Sequence, residues 1–457
     1  MKDRLPLIVF ILSFAFLAFV YGFAASARGL FPSKILWEAY YTAEDLAMNW
    51  RNDFGFEPTR LLVAADARER TALGLGERLA PQRPRVVARD GAAEGRRFVS
   101  GLTPGREALS GALLVDRAGR ELHYWPIDFN RLSSGGKSPN NVYLHGIEPL
   151  RDGSIVVNFD NGDLLARIGP CGEVMWVTEG RFHHVVTQSH DGTLWSWESP
   201  VHPDPRAVAD AKAAGGNRET QYLVQLDAAT GERLRSVSLE RDIIAAHGLF
   251  GQMALRTQEN AAQLVYCCDP FHPNDIEALP PELAGAFPMF AAGDLLISLR
   301  SINLVAVLDR DTLAPKWSSI GPWHQQHDPD FLPDGTISVF NNNMGLGASQ
   351  IVVANPATGE HRVAFDGAAR GNFYSWRRGR HQQLPNGNIV IAESERGRVI
   401  EVNRAGEIVW AFENVYDATR NGLINDAVVL ADDFFEEGAL SCPAPAAESA
   451  GDGRPAG

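Results

Sequence analysis

"HGIEPLRDGSIVVNFDNGDLLARIGPCGEVMW", residues 145–176, decides the fold, because it contains four short apolar segments separated by turns. One segment precedes the turn at Asp152 and Gly153, and the others follow it at 154–159, 163–168 and 173–176. Glycine-containing turns between short apolar segments predict antiparallel strands. The stretch therefore predicts a four-stranded sheet whose strands follow one another along the chain.

The same plan recurs along the chain, most clearly in "HQQLPNGNIVIAESERGRVIEVNRAGEIVW", residues 381–410. Weaker copies lie at 111–125, 184–237, 293–317 and 321–365, and the copy at 184–237 contains an insertion near 200–218. A four-stranded unit cannot bury both faces alone, so repetition predicts stacking around an axis. We predict an all-β, six-bladed β-propeller, with "NGLINDAVVL" at 421–430 supplying the strand that closes the ring.

The chain divides into the propeller and three segments outside it. Residues 1–29 predict a signal-anchor or transmembrane helix, 30–92 a short helical lead-in, 93–435 the propeller and 436–457 a disordered tail rich in Pro, Ala and Gly. Lys2 and Arg4 precede an apolar run of membrane-spanning length, so the remainder is expected to be exported. Ala25-Ser26-Ala27 resembles a signal-peptidase site, so both an uncleaved anchor, which we favour, and a cleaved signal stay open.

Composition limits the classes of partner. The net charge of −14 argues against nucleic acid and anionic membrane surfaces, and any anionic ligand needs a local cluster of positive groups. The four cysteines, at 171, 267, 268 and 442, lack zinc-ligand spacing, and their disulfide pairing is open. The oligomeric state is not determined by the sequence.

Histidines fall at one position of the repeat. Eight residues before the glycine of the first turn, three units carry His145, His184 and His327, although the chain has only 12 histidines. The first strand of each blade lines the channel of a propeller, so these side chains are expected to share one face. In the last unit His381 lies one pleat deeper. No carboxylate recurs at the same position, so no metal site is predicted. His183 is interpreted as structural.

The chain also resembles the bacterial arylsulfate sulfotransferases, exported propeller enzymes that use no nucleotide donor, over roughly residues 110–430. The resemblance is carried by "FHHVVTQSHDG", "DPFHPNDIEAL", "GDLLISLRSINLVAVLD" with "QQHDPDFLPDGTISVFNN", and "LPNGNIVIAESERGRVIEVNRAGEIVW". It implies that His327 accepts the sulfuryl group and that His184, His272 and Arg300 surround it. Asn274, His145 and His381 are expected to bind or orient substrate.

The resemblance implies transfer of a sulfuryl group from an aryl sulfate to a phenolic acceptor, without a cofactor, in the periplasm on an inner-membrane anchor. The natural donor and acceptor do not follow from it. Two other readings stay open, since one fold hosts many functions. One is a membrane-anchored, non-catalytic propeller that binds a ligand or partner, and the other is a metal-dependent hydrolase or lyase using the same histidines.

Overall fold

The computed structural model describes residues 4–28, 31–74, 82–199, 221–248, 271–369 and 373–442. It separates the chain into two compact units, residues 1–60 and 61–457. The helices are α1 (Leu5–Arg28), α2 (Ser33–Asp53), α3 (Ala67–Ala72), α4 (Phe129–Leu132) and α5 (Pro281–Ala284). The predicted insertion near 200–218 lies outside the described residues.

The first unit consists of two helices. Helix α1 contains a 21-residue apolar span, Pro6–Ser26, with a mean hydropathy of 2.5. It is long and apolar enough to cross a membrane, and most of its large apolar side chains are exposed. Helix α2 is more polar, and its Asp45 accepts a hydrogen bond from Arg60 at 2.7 Å.

The second unit is built from β-strands. Those of the first part are β1 (Leu62–Ala64), β2 (Arg85–Ala88), β3 (Arg96–Leu102), β4 (Ser110–Val115), β5 (Glu121–Ile127), β6 (Tyr143–Pro149), β7 (Ile155–Asp160), β8 (Leu164–Ile168), β9 (Val174–Glu179), β10 (Phe182–Gln188), β11 (Thr193–Glu198), β12 (Tyr222–Asp227) and β13 (Arg233–Ser238). The remainder are β14 (Pro273–Ala278), β15 (Leu295–Leu299), β16 (Leu304–Leu308), β17 (Pro315–Ile320), β18 (His327–Phe331), β19 (Ile337–Asn341), β20 (Gln350–Ala354), β21 (His361–Asp366), β22 (Arg380–Gln383), β23 (Ile389–Glu393), β24 (Arg398–Val402), β25 (Ile408–Glu413), β26 (Arg420–Gly422) and β27 (Ile424–Leu430).

These strands form a six-bladed β-propeller, as the repeat predicts. Blade 1 has the order β27-β3-β4-β5, and blades 2 to 5 are the consecutive sets β6–β9, β10–β13, β14–β17 and β18–β21. Blade 6 is β22–β25 with β2 added at its outer edge. The inner strands β6, β10, β14, β18, β22 and β27 contact one another in sequence, and β27 returns to β6. The ring is therefore closed, and its closing strand lies within the predicted stretch 421–430.

Burial between blades explains why the repeat has to stack. Six clusters of buried apolar side chains each join two neighbouring blades, and between them they cover all six interfaces. Tryptophans on outer strands add polar links: Trp125 donates to the carbonyl of Gly153 at 2.8 Å in the next blade, and Trp410 to Arg117 at 2.9 Å.

The structure changes two predicted segment boundaries. Strand β2 pairs with β25, and β1 pairs with β26, so the lead-in at 30–92 is not wholly helical and its second half belongs to the propeller unit. The start of the tail also packs against the propeller: the backbone N–H of Glu436 donates to the carbonyl of Arg151 at 2.8 Å, and Ala439 and Leu440 are partly buried against an apolar cluster. The first difference comes from strand pairing and the second from packing of the tail against blade 2, and the repeat pattern reports neither.

A disulfide joins Cys171 in blade 2 to Cys442, with a Cα–Cα distance of 5.5 Å and a separation of 271 residues. Such bonds form in oxidising compartments, in agreement with the expected export of this unit. Cys267 and Cys268 lie outside the described residues.

Removal of this disulfide is expected to destabilise the propeller. The Cys442→Ser variant should lose about 2–5 kcal/mol of unfolding free energy, because the bond constrains a long loop of the unfolded chain. Denaturant titration of the purified exported domain measures the loss. Cys171→Ser and the double variant should match Cys442→Ser, whereas additive losses would contradict a single bond between these two residues.

Candidate active site

The inner strands carry a β-bulge at the same level in five blades. The strand pairing shifts at His145, between His183 and Val186, at Asn274, after His327, and at Asn425. A bulge breaks the alternation of side chains and re-aims the bulged residue. In blade 6 the equivalent position is Gly379. It lies five residues before Leu384, which accepts the hydrogen bond of the first turn, just as His145 lies five residues before Leu150 in blade 2.

These equivalent positions, one per blade, surround one cavity at the end of the channel: His145, His184, Asn274, His327, Gly379 and Asn425. The cavity has a volume of about 390 Å³. Five arginines also line it, namely Arg181, Arg300, Arg377, Arg378 and Arg380, with Asp160, Asp163 and Asp328. Although the chain is acidic overall, this cavity therefore contains a local cluster of guanidinium groups. Such a cluster is what an anionic ligand would need in order to bind to a chain of negative net charge.

The tautomer of His327 is fixed by Asn342. The amide nitrogen of Asn342 donates to the carbonyls of Ser375 at 2.8 Å and Arg378 at 2.9 Å, so its oxygen must face the histidine. His327 Nδ1 lies 2.7 Å from that oxygen, which can only accept. The neutral ring therefore carries its proton on Nδ1, and Nε2 is the nitrogen with the lone pair.

Three of the histidines that line the cavity, His327, His145 and His184, are held neutral. Burial lowers the pKa of His327 well below its usual value, and the nearby charge of Arg300 lowers it further. Burial likewise lowers the pKa of His145, with the charge of Arg378 as the next cause, and the pKa of His184. A neutral imidazole has the lone pair that nucleophilic attack requires.

A chain of hydrogen bonds links three of the histidines. His183 Nε2 lies 2.8 Å from the Gln221 amide oxygen, and His183 Nδ1 lies 2.7 Å from His184 Nδ1. His184 Nε2 lies 3.1 Å from His272 Nε2. The backbone N–H of His184 donates to His145 Nδ1 at 3.2 Å, so neutral His145 carries its proton on Nε2.

Arg300 directly follows strand β15 and lies beside the start of β14. Its backbone N–H donates to the carbonyl of His272 at 3.0 Å, which fixes the two residues next to each other although 28 positions separate them. Its guanidinium is buried and contacts the Gln325 amide oxygen at 3.3 Å and the Met344 sulfur at 3.2 Å. The connection from β14 to β15 contains α5, and His272, directly before β14, lines the cavity.

A buried ion-pair cluster forms the floor of the cavity. Arg380 contacts Asp275 at 2.7 Å and Asp328 at 2.6 Å, and Asp426 at 3.8 Å. All four residues directly follow the equivalent positions of their blades. No carboxylate recurs at the position of the histidines themselves, but in three blades an aspartate occupies the next residue, a recurrence that the sequence analysis did not use.

One group of side chains has the composition of a metal site. Single ligand atoms of Asp328, Asp330 and His381 lie within 4.8 Å of one another. However, Asp328 already accepts hydrogen bonds from Arg380, from the backbone of His381 and from His381 Nδ1 at 2.8 Å. A divalent cation would have to displace these bonds, so the group fits an ion-pair network better than a metal ion.

The structure brings together six of the seven residues selected from the sequence. His327, His184, His272, Arg300, His145 and Asn274 line the cavity. His381 does not line it; the ring lies one step deeper, against Asp328. Asn274 acts from the side, its amide nitrogen donating to the carbonyl of Gln326 at 2.8 Å.

Sequence reasoning missed several residues of the cavity. His183 lines it, although alternation along a strand places neighbours of His184 on the opposite face. The bulge that follows His183 removes this alternation, and no residue type in the sequence marks it. Gln221 and Asn342 were also missed, because amides far along the chain carry no recognisable spacing.

A family model described as Arylsulfotransferase (ASST) matches residues 146–415, more than half of the chain. The chain belongs to the arylsulfotransferase family. The matched range contains His184, His272, Arg300 and His327, together with the inner strands of blades 3 to 6. No curated protein matches the chain in sequence.

Solved structures with similar folds are distant from this family member. A Bacteroides caccae protein of unknown function is 13% identical, covers 73% of this chain and 98% of its own, and has a TM-score of 0.45. TolB from Acinetobacter baumannii is 13% identical over 73% of this chain and 66% of its own, with a TM-score of 0.41. A virginiamycin B lyase from Staphylococcus aureus is 12% identical over 60% and 71%, with a TM-score of 0.36. The propeller assignment rests on the strand order and not on these similarities.

Carboxyl groups below the floor are protonated more readily than usual. Burial raises the pKa of Glu148, on the inner strand of blade 2, from 4.5 to about 8. The native carboxyl therefore keeps a proton between pH 4.5 and about 8, where the unfolded carboxyl has lost it. Unfolding then releases a proton, so this group makes the protein less stable as the pH rises through that window.

The Glu148→Gln variant is expected to be more stable than the parent at pH 8.5 and close to it at pH 5, since an amide cannot ionise. Its oxygen can still accept the bond that Glu148 receives from the Gln188 backbone at 3.3 Å. Thermal unfolding at several pH values measures the difference. Glu282→Gln, on exposed α5, is the matched control. An equal gain at both pH values would exclude the ionisation as the cause.

Proposed function

We propose that this propeller transfers a sulfuryl group from an aryl sulfate to a phenolic acceptor, with His327 as the nucleophile. The observation that carries the proposal is the fixed tautomer of His327, whose lone-pair nitrogen belongs to a buried ring in a cavity that also contains Arg300. Membership of the arylsulfotransferase family supports the same reaction class.

In the first half-reaction His327 Nε2 attacks sulfur. The N–S bond forms while the bond between sulfur and the aryl oxygen breaks, and both electrons of that bond leave with the phenolate. His327 Nδ1–H keeps its hydrogen bond to Asn342 while the ring gains positive charge. The product is a sulfohistidine, and the energetic demand is alignment together with stabilisation of the negative oxygens.

Positive groups around the cavity meet that demand. The planar guanidinium of Arg300 can donate two hydrogen bonds to the sulfuryl oxygens, which a lysine cannot match. Arg378 supplies a second positive charge near His145. Neutral His145 has Nε2–H as a donor, suited to the oxygen of the leaving phenolate.

In the second half-reaction a phenol takes the place of the first product. His272 removes the phenol proton as the oxygen attacks sulfur, the S–N bond breaks and His327 returns to its neutral form. Donor and acceptor thus react in turn, and nothing diffusible is needed beyond these two small molecules. The reaction uses no metal or nucleotide in this scheme.

We further infer that the propeller works outside the cytoplasm, attached to the inner membrane. The apolar span of α1 follows Lys2 and Arg4, and basic residues stay on the cytoplasmic side. The disulfide between Cys171 and Cys442 supports an oxidising compartment. Fractionation of cells, with and without alkaline extraction, tests the attachment.

The His327→Ala variant should lose transfer from 4-nitrophenyl sulfate to phenol, because no other group in the scheme replaces the nucleophile. A pulse of donor alone should add about 80 Da to the parent peptide containing His327, the mass of the sulfuryl group. His361→Ala, on the outer strand of the same blade, is the control and should keep full activity.

The transfer and labelling experiments distinguish three hypotheses about the function of the site. Transfer that survives chelator, with the label on His327, supports the proposal. Activity lost to chelator and restored by a divalent ion would indicate a metal-dependent hydrolase or lyase. Binding of aryl sulfates without any turnover would indicate a non-catalytic propeller.

Arg300→Lys should lower kcat by roughly a hundredfold, the effect of removing one preorganised donor to a developing charge. Lysine keeps the positive charge but loses the paired, planar donors. KM for the donor should change much less, because the lost bonds strengthen in the transition state. Steady-state kinetics measure both constants. A rise in KM with kcat unchanged would assign Arg300 to substrate binding alone.

A further inference from the structure

We propose that Gln221 and His183 are positioning residues that fix, through His184, which nitrogen of His272 is the base for the acceptor phenol. The inference rests on the proposed sulfuryl transfer and deepens it, since it assigns the proton to one atom. The relay consists of Gln221, His183, His184 and His272, joined by the three hydrogen bonds described above.

The direction of these hydrogen bonds follows from the first one. The Gln221 amide oxygen can only accept, so His183 Nε2 must carry a proton. In the neutral ring His183 Nδ1 then has a lone pair, which accepts a proton from His184 Nδ1. His184 Nε2 in turn has the lone pair, so His272 Nε2 must be the donor. Neutral His272 is therefore unprotonated at Nδ1.

Burial makes this order costly to reverse. Gln221 is 1% exposed, and burial lowers the pKa of His184 well below its usual value, which disfavours an additional proton on the relay. Turning one ring would place two lone pairs or two protons against each other and would break the hydrogen bond between those rings. The Gln221 amide oxygen thus determines, through the two intervening histidines, which nitrogen of His272 is protonated.

The chemical consequence concerns only the second half-reaction. The phenol proton moves to His272 Nδ1, the phenol oxygen bonds to sulfur, and the S–N bond to His327 breaks with its electrons returning to Nε2. His272 becomes a cation whose Nε2–H still donates to His184 Nε2, a neutral acceptor held in place by His183. The relay therefore both selects the basic nitrogen and stabilises the charge that develops on it.

The first arm of the test separates the two half-reactions. In Gln221→Leu the amide acceptor is lost, so transfer to phenol should fall about tenfold, a fraction of the contribution of a general base. The deficit should grow as the acceptor phenol becomes less acidic. Labelling of His327 by 4-nitrophenyl sulfate should stay within about twofold of the parent, because nitrophenolate leaves without a proton.

Matched variants control for a purely structural effect. Gln221→Glu keeps an accepting oxygen and should retain most of the transfer rate. Gln225→Leu, on β12 of the same blade, removes an amide that donates to Thr193 at 2.9 Å and should leave both half-reactions unchanged. An equal loss of both half-reactions in Gln221→Leu, or no loss in either, would overturn the proposal.

A second arm does not depend on activity. Nitrogen-15 NMR distinguishes protonated from unprotonated imidazole nitrogens, and single substitutions of His183, His184 and His272 assign the signals. In the parent protein His272 is expected to be protonated on Nε2, and Gln221→Leu should give a mixture of tautomers. A parent His272 protonated on Nδ1 would refute the relay even if transfer is observed. Absence of any sulfuryl transfer, with the expected tautomer present, would refute the proposed function instead.

Discussion

The closing of β27 against β3 on one side and β22 and β6 on the other is the constraint on which the rest of the molecule depends. Each blade is too thin to bury its own faces, and each apolar cluster belongs to two blades at once. A ring with one open seam would expose two of these faces to water. Histidines nearly two hundred positions apart in the chain can share a cavity only because the ring is complete.

A second constraint acts on the inner strands, where a bulge recurs at one level. Regular strands would point successive side chains to alternate faces, and the channel would receive only half of them. In five blades the bulge turns an equivalent residue toward the cavity, and in four blades the next residue belongs to the floor. Imidazoles and arginines thus lie above a layer in which Arg380 is held by Asp275 and Asp328. The groups proposed for proton exchange and anion binding therefore lie in one layer, and the ion pairs of Arg380 lie in another.

The sequence was sufficient for the blades, the closing strand and the shared position of His145, His184 and His327. These features depend on short-range periodicity and on turn glycines, which a single sequence displays. It was insufficient for the partner of Cys171, for β2 as an added outer strand, and for the roles of His183 and Gln221. Each of these depends on contacts between distant segments of the chain, and such contacts cannot be predicted from the residue types alone. The expected role of His381 illustrates the limit, since one pleat of depth moves its ring from the cavity to Asp328.

The amide of Asn342 is held by carbonyls of Ser375 and Arg378, in the segment that connects blade 5 to blade 6. The lone-pair nitrogen of His327, the proposed nucleophile, is consequently chosen by main-chain carbonyls of this linker. A substitution of Arg378 would remove a positive charge near His145 and yet leave the tautomer of His327 unchanged, as long as the path of the backbone is kept. A shortened or lengthened linker, by contrast, would move the carbonyls that orient the Asn342 amide, and with them the choice of the protonated nitrogen on His327.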